Sequence, residues 1–242
     1  MDPAALPADL VGRRVVVTAG GTREPLDPVR FLGNNSSGRQ GYALATVAAA
    51  RGAQVTLIAA NCEWPDPAGS VVVPVGTAAE LRAATVAAAP EADIVVMAAA
   101  VADFRPTDEA KHKIKRGAAE PEPVALTRNS DILAELVSLR RESQPGLGQV
   151  GAVLVGFAAE TGDDDGDVLT HGRAKLARKG CDLLVVNQVG PELGFGRPDN
   201  AAVILAADGS EVDVPLGPKA VLAAAVWDAA GRILTRKTSG LR

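Results

Sequence analysis

The sequence predicts an α/β fold: a doubly wound, mostly parallel, Rossmann-like sheet ending in a C-terminal β-hairpin and carrying a mobile basic flap. Three observations lead there. Short β-branched runs alternate with Ala/Leu-rich stretches of helical period along the 242 residues. Apolar residues make up 47% of the chain but aromatics only 3%, and small aliphatic side chains suit helices lying close on a sheet. The chemically unusual residues follow the strands, where open α/β sheets bind ligands.

In chain order, Arg14–Ala19 (RVVVTA) reads as the first strand, followed by a long polar segment, 20–38, and a helix from Arg39 to Ala50. Gln54–Ala60 and Ser70–Val75 are strands two and three, and Thr77 is placed to cap a helix over Ala78–Ala89. Asp93–Ala99 is the most continuous apolar run and is expected at the sheet centre. A polar stretch over 103–121 follows, then a helix through Leu139 capped by Asn129 or Ser130. Val150–Phe157 makes strand five, a helix spans Val168–Lys179, and Asp182–Asn187 makes strand six. The end reads as a hairpin, Ala201–Leu205 with Glu211–Val214 around Asp208 and Gly209, then a helix from Lys219 to Leu234. Residues 1–12 are read as a tail or linker and 13–242 as one domain, with no internal repeat.

Composition narrows the function. A net charge of −4 without a long basic tract disfavours nucleic acid as a partner. No apolar run approaches the roughly 20 residues of a membrane helix, and the first residues lack a secretory pattern, so a cytoplasmic location is expected. Cys62 and Cys181 are read as reduced, buried thiols, and His112 and His171 are too few for a zinc site or a Ser–His–Asp triad.

Familiar nucleotide motifs fail individually. Gly33–Gln40 (GNNSSGRQ) approaches the P-loop pattern, but Arg39 and Gln40 replace its lysine and hydroxyl. Ser36, Ser37, Gly38 and Gly41 still place hydroxyls and free N–H groups at a helix N-terminus, which favours a phosphate; an ordinary capped surface loop is the bland alternative. A dehydrogenase is disfavoured because TAGGTREPLD is not G-x-G-x-x-G and strand two ends without a ribose-binding acid. The only tyrosine, Tyr42, is followed by Thr46 where short-chain reductases need lysine. Lys111-His112-Lys113-Ile114-Lys115-Arg116 puts four fixed cations in six residues. Such a run is a solvated face or, following the central strand in an acidic chain, a loop closing over a polyphosphate. Asp163–Asp167 (DDDGD) reads as a solvated acidic turn before a helix rather than a metal site.

With these segments placed, the sequence resembles the phosphopantothenate–cysteine ligase family, the synthetase half of the bacterial bifunctional coenzyme A biosynthesis protein. TAGGTREPLDPVRFLGNNSSGRQG, MAAAVADFRP, KIKR, LTRNSDIL, VGFAAET, AKLARKGCDLLVVN and NAAVIL carry the resemblance, in order, along nearly the whole chain. It implies that 13–242 is a ligase domain coupling 4′-phosphopantothenate to L-cysteine. CTP would be co-substrate and Mg²⁺ the divalent cation, with an acyl-cytidylate intermediate and CMP and pyrophosphate as products. It implies no flavin in this chain, a homodimer, and a flavin-dependent decarboxylase as a covalent or separate partner.

By resemblance, Asn34 binds and turns over the acyl intermediate, Lys113 forms it, and Asp103 accepts a hydroxyl or amine hydrogen bond. Arg116 stands where the family's flap motif has lysine and is left out of the catalytic set. Ala99, Ala100, Asp103, Lys113, Ser130, Asp131, Ile132, Leu133, Lys175 and Lys179 match the nucleotide site. Phe157 matches an aromatic at the base or ribose, or is a core phenylalanine. Arg30, Asn34, Ser36, Gly38, Gly41 and Asn187 match the substrate site; the metal ligands stay unassigned. Two other classes remain to be discriminated: a nucleotide-binding module, which would release no pyrophosphate, and a reductase, which would perturb NADPH fluorescence.

Overall fold

The computed structural model describes residues 7–115, 123–142, 151–160, 167–188 and 199–239. Its main sheet contains β1 (Arg14–Gly20), β4 (Gln54–Ala60), β5 (Ser70–Val75), β6 (Ile94–Met97), β9 (Val153–Glu160), β10 (Leu183–Gln188), β11 (Asp199–Ala206) and β12 (Glu211–Pro218). The helices are α1 (Arg39–Ala50), α2 (Ala78–Ala88), α3 (Ile132–Glu142), α4 (Val168–Lys179) and α5 (Lys219–Ser239). The strand order is β12-β11-β10-β9-β6-β1-β4-β5, with β11 antiparallel to both β10 and β12 and every other neighbouring pair parallel. The order reverses between β1 and β6, the switch point at which a doubly wound sheet opens a crevice. As expected, β6 is central, although only Ile94–Met97 is laddered.

Side-chain alternation along the strands fills two cores. Val15, Val17, Ile94 and Val96 face α1 and α5, while Val16, Val95 and Met97 face α2, α3 and α4. Trp227 of α5 is fully buried, and its indole N–H donates to the Leu44 carbonyl of α1 at 3.0 Å, so its polar atom is satisfied where it is dry. Residues assigned to a tail take part as well. Leu10 is 1% exposed, and Asp9 pairs with the buried Arg51, which also pairs with Asp228.

Two small antiparallel pairs arise where the sequence reads only as polar loop: β2 (Arg23–Pro25) with β3 (Phe31–Gly33), and β7 (Phe104–Pro106) with β8 (Leu126–Arg128). Three-residue strands have no readable alternation, and tertiary pairing alone creates them. Two caps test local chemistry. Thr77 and Glu80 form a full capping box on α2, as read from the sequence. On α3 the expectation of Asn129 or Ser130 is corrected: Asp131 Oδ1 accepts from the Ala134 N–H, and Asn129 is drawn away to the central loop.

Gly41 sets the distance of α1 from the sheet. A Cβ there would lie 2.4 Å from Ala19 Cβ and 3.0 Å from the Thr18 carbonyl oxygen. Gly41→Ala gains roughly 1 kcal/mol of helix propensity. Overpacking a rigid strand costs about 1–3 kcal/mol, so the clash wins. The variant is expected to melt several degrees lower; a thermal scan showing an unchanged or higher midpoint would refute the close approach.

Candidate active site

The carboxyl ends of β1 and β6 are bolted together by buried threonines. Thr18 Oγ1 accepts the Ala99 N–H, and Thr22 Oγ1 accepts the Ala102 N–H, each at 3.0 Å. The Ala100 N–H donates to the Gly20 carbonyl at 2.8 Å, and the Thr22 N–H to the Ala100 carbonyl at 3.1 Å. A loop of small residues is thus held open as a smooth wall. Asn129 extends it, its side chain donating to the Ala102 carbonyl at 2.8 Å and its N–H to the Asp103 carbonyl at 2.9 Å.

Against this wall sits a cleft of about 150 Å³. It gathers Ser36, Gly38 and Gly41 from the α1 end, Ala99 and Ala100 from the β6 end, Phe157 from β9 and Asn187 from β10. These seven sequence-predicted residues span the chain from 36 to 187, and the sheet brings them to one place. Gly38 caps α1 in the left-handed region at φ 75° with no side-chain cap bond, so the first amides of α1 stay open to a ligand. A Cβ at Gly38 would lie 2.4 Å from Cys62 Sγ. Cys62 is half-buried rather than buried, and its burial pushes the thiol up to about 11, so it is a packing group and not a nucleophile. Phe157 packs on the core and also lines the cleft. Asn187 Oδ1 is buried without a hydrogen-bond partner among the described residues, an acceptor that a donor in the cleft could meet.

Sequence reasoning missed further polar residues of this cleft, among them Arg39, Gln40, Asn200 and Lys219. Asn200 donates to Gln40 Oε1 at 3.2 Å, and Gln40 donates to the Lys219 carbonyl at 3.2 Å, tying the C-terminal hairpin to the start of α1. Burial, then the Arg39 charge, lower the pKa of Lys219, while Asp199 opposes weakly. Neither cation has a carboxylate partner among the described residues; Arg39 lies over the Trp64 ring at 4.6 Å, and Lys219 reaches the Asp199 carbonyl at 3.4 Å. A signal existed for Arg39, beside the GNNSSG run, but none for Lys219.

The remaining predicted residues form two flanking groups. Asn34 follows β3, and its side-chain N–H donates to the Val101 carbonyl at 3.1 Å, so it borders the same wall. Asp103 is exposed, and so is Lys113; Arg116 lies outside the described residues. The guanidinium of Arg30 is committed to Asp27 and to the Ile114 carbonyl. On the other side, Ser130 is exposed, Ile132 is core, and Leu133 packs against that core. Asp131 pairs with Lys179; burial works to raise its carboxyl, but the lysine and the Ala134 amide outweigh it and the net shift is downward. Lys175 and Lys179 are half-buried on one face of α4 rather than solvated. Of the acidic run, Asp167 caps α4 by accepting the Thr170 N–H, and 163–166 lie outside the described residues.

A larger groove of about 650 Å³ lies at the opposite, amino ends of the strands, lined by Arg13, Arg14, Glu91 and Arg140. None of the predicted site residues reaches it. Among the described residues no three acidic, histidine or cysteine side chains converge as metal ligands, and no helix is long and apolar enough to cross a membrane.

A doubly wound sheet with small-residue walls, an open helix N-terminus and two cations without a carboxylate partner among the described residues defines an α/β domain with a candidate ligand cleft at its switch point. More particularly, the chain belongs to the DNA/pantothenate metabolism flavoprotein C-terminal domain family, which residues 10–233 match. It is 54% identical over 232 residues to the coenzyme A biosynthesis bifunctional protein CoaBC of Mycolicibacterium smegmatis, covering 95% of this chain and 55% of that protein. Against CoaBC of Bacillus subtilis the identity is 41% over 214 residues, covering 88% and 49%. The chain thus spans about half the length of these curated relatives. The crystal structure of the C-terminal domain of CoaBC matches with a TM-score of 0.75 at 30% identity, covering 95% of this chain and 99% of that one. A mutant of Cab2 in complex with phosphopantothenate-cysteine shares the fold, with a TM-score of 0.70 at 18% identity over 94% of this chain and 89% of that one.

Proposed function

We propose that this domain ligates 4′-phosphopantothenate to L-cysteine with CTP, in the cytoplasm, as a step of coenzyme A biosynthesis. The supporting observation is the convergence of Ser36, Gly38, Gly41, Ala99, Ala100, Phe157 and Asn187 on one switch-point cleft. The family and the names of the relatives agree with it. In the first step a substrate carboxylate oxygen attacks the α-phosphorus of CTP, and the bond to pyrophosphate breaks. In the second the cysteine amine attacks the acyl carbon and CMP leaves. Substrate supplies both nucleophiles, so the protein contributes position and charge. That suits a cleft whose only nearby thiol, among the described residues, is half-buried against glycines and pushed up to about 11 by that burial.

The open amides of α1, with Ser36, receive the phosphate of the acid, and Asn187 Oδ1 accepts from its polar arm. Asn34 donates to the acyl oxygen, and Lys113 offsets charge on the departing pyrophosphate. Asp103 orients the amine or a hydroxyl, and Arg30 braces the loop between them. Ser130, Asp131, Ile132 and Leu133 lie along the nucleotide, with Lys175 and Lys179 at its phosphates. Lys179 would exchange its Asp131 contact for them. Mg²⁺ would share the charge on the triphosphate. The exposed apolar side chains Val29, Phe31, Leu32, Phe104 and Leu126, on and beside the two small pairs, suit contact with a second copy. The half-length match to CoaBC suits a decarboxylase partner.

The deciding assay is pyrophosphate release from CTP and Mg²⁺ with 4′-phosphopantothenate, with and without cysteine. Release that requires the acid, with sustained product formation only when cysteine is added, supports the ligase; folded, nucleotide-binding protein that releases none refutes it. Lys219→Gln adds a finer expectation. It removes a cation that has no carboxylate partner among the described residues, beside the phosphate, so KM for the acid rises about tenfold or more while kcat holds. Its pKa is already lowered, so the wild-type advantage fades with rising pH sooner than an exposed lysine near 10.5 would dictate. Equal KM values for variant and wild type across pH would remove Lys219 from the site.

A further inference from the structure

We propose that Asp27 is a positioning residue for the first half-reaction, its carboxylate fixing the lysine-bearing arch 111–113 to the turn that leads into Asn34. The inference rests on the ligase reading of Lys113.

Asp27 lies in the turn between β2 and β3, yet its side chain is 0% exposed. Oδ1 accepts the Val29 and Arg30 N–H groups at 2.9 and 2.8 Å, an ordinary local turn contact. Oδ2 does something the turn does not need. It accepts the Ile114 N–H at 3.1 Å across 87 residues, together with Arg30 Nε at 3.1 Å and Arg30 NH2 at 2.6 Å. Arg30 NH2 also donates to the Ile114 carbonyl at 3.1 Å, so one carboxylate–guanidinium pair grips both polar atoms of that peptide residue. At the other end, the Ala110 N–H donates to the Leu26 carbonyl at 3.1 Å. Lys111, His112 and Lys113 therefore form an arch pinned at both feet to Leu26–Arg30. Phe31–Gly33 leaves the same turn and delivers Asn34.

The physical need is clear. Lys111, Lys113 and Lys115 are exposed like charges on backbone that belongs to no helix or strand. Ordering such a segment costs roughly 1–2 kcal/mol of backbone entropy per residue. Charge stabilisation of a leaving group counts only where the charge is held in place beforehand. The Arg30 guanidinium keeps the Asp27 carboxyl well below the usual carboxylate range, with the three amides assisting against burial, so the acceptor is charged at neutral pH.

Asp27→Asn tests this, because it turns an acceptor facing the Ile114 N–H and Arg30 into either a donor or a poorer acceptor. Acid-dependent pyrophosphate release in the first turnover is expected to fall tenfold or more. The same change in a Lys113→Gln background is expected to add little, since the lysine being positioned is gone. Additive losses, or unchanged release, overturn the proposal; a merely structural role gives additivity. Limited trypsin digestion reads the arch without activity: cleavage after Lys111, Lys113 and Lys115 should accelerate relative to cleavage elsewhere. Arg30→Lys, which loses the fork but keeps the charge, should shift both readouts the same way and less. Unchanged relative cleavage in both variants overturns the pinning. A parent protein that releases no pyrophosphate would refute the ligase reading, while the digestion still decides the arch.

Discussion

Asn34→Ala is expected to consume one equivalent of CTP per site and then stall with acyl-cytidylate in the cleft. The Asn34 amide donates one N–H to the Val101 carbonyl at 3.1 Å, which orients it along the wall and leaves its second N–H for the acyl oxygen. That oxygen gains charge only when the amine attacks, so a donor aimed at it speeds the second step alone. Losing one such donor costs about 10²–10³ in rate. Losing the Val101 contact by itself costs about 1 kcal/mol of loop order and would slow both steps alike. Rapid quenching with direct quantification of the intermediate separates the two. Intermediate accumulating at an unaltered first-step rate supports the assignment; product formation equal to wild type abolishes it.

Lys113→Gln should fail one step earlier. The residue is exposed on the arch between Ala110 and Ile114, free to meet a triphosphate, and glutamine keeps much of its reach without its charge. Pyrophosphate leaves carrying several negative charges, and an uncompensated leaving group raises the barrier by an amount of the same order, about 10²–10³ in rate. Pyrophosphate release with the acid alone is the readout, and an unchanged rate would rule the role out. Salt supplies a control: exposed charges are screened over about 8–10 Å at physiological ionic strength. Wild-type release should therefore fall as salt rises, and the variant's should respond less. Lys113→Arg should recover part of the rate, because the charge returns without the compact ammonium.

Much of the site was readable because its motifs are local. TAGGT and MAAAVAD each sit at the end of a strand whose apolar run is unambiguous, and GNNSSGRQG leads into a helix of clear period, so placing those elements placed the residues. Helix α1, β4, β5 and α4 follow the bounds read from periodicity, since their signals lie within a dozen residues. The three-residue strands β2, β3, β7 and β8 escaped because each is defined by a partner, and 19 residues (107–125) separate β7 from β8. The α3 cap was misplaced for a related reason. Asn129 is a good cap by propensity, but the Ala102 carbonyl claimed its amide, and Asp131 took the helix.

The sequence by itself determined the layer order, the central place of β6 and the strand ends at which a ligand would meet the protein. Hydrophobic periodicity and glycine placement are short-range properties written into the chain. Only the tertiary structure decided which charges are spent and which are spare. Asp131 holds Lys179, Asp27 holds Arg30 and the foot of the lysine arch, and Arg39 and Lys219 line one cleft without a carboxylate partner among the described residues. Those outcomes join residues 3 to 180 positions apart, and electrostatic pairing depends on distance in space, which spacing along a chain does not encode.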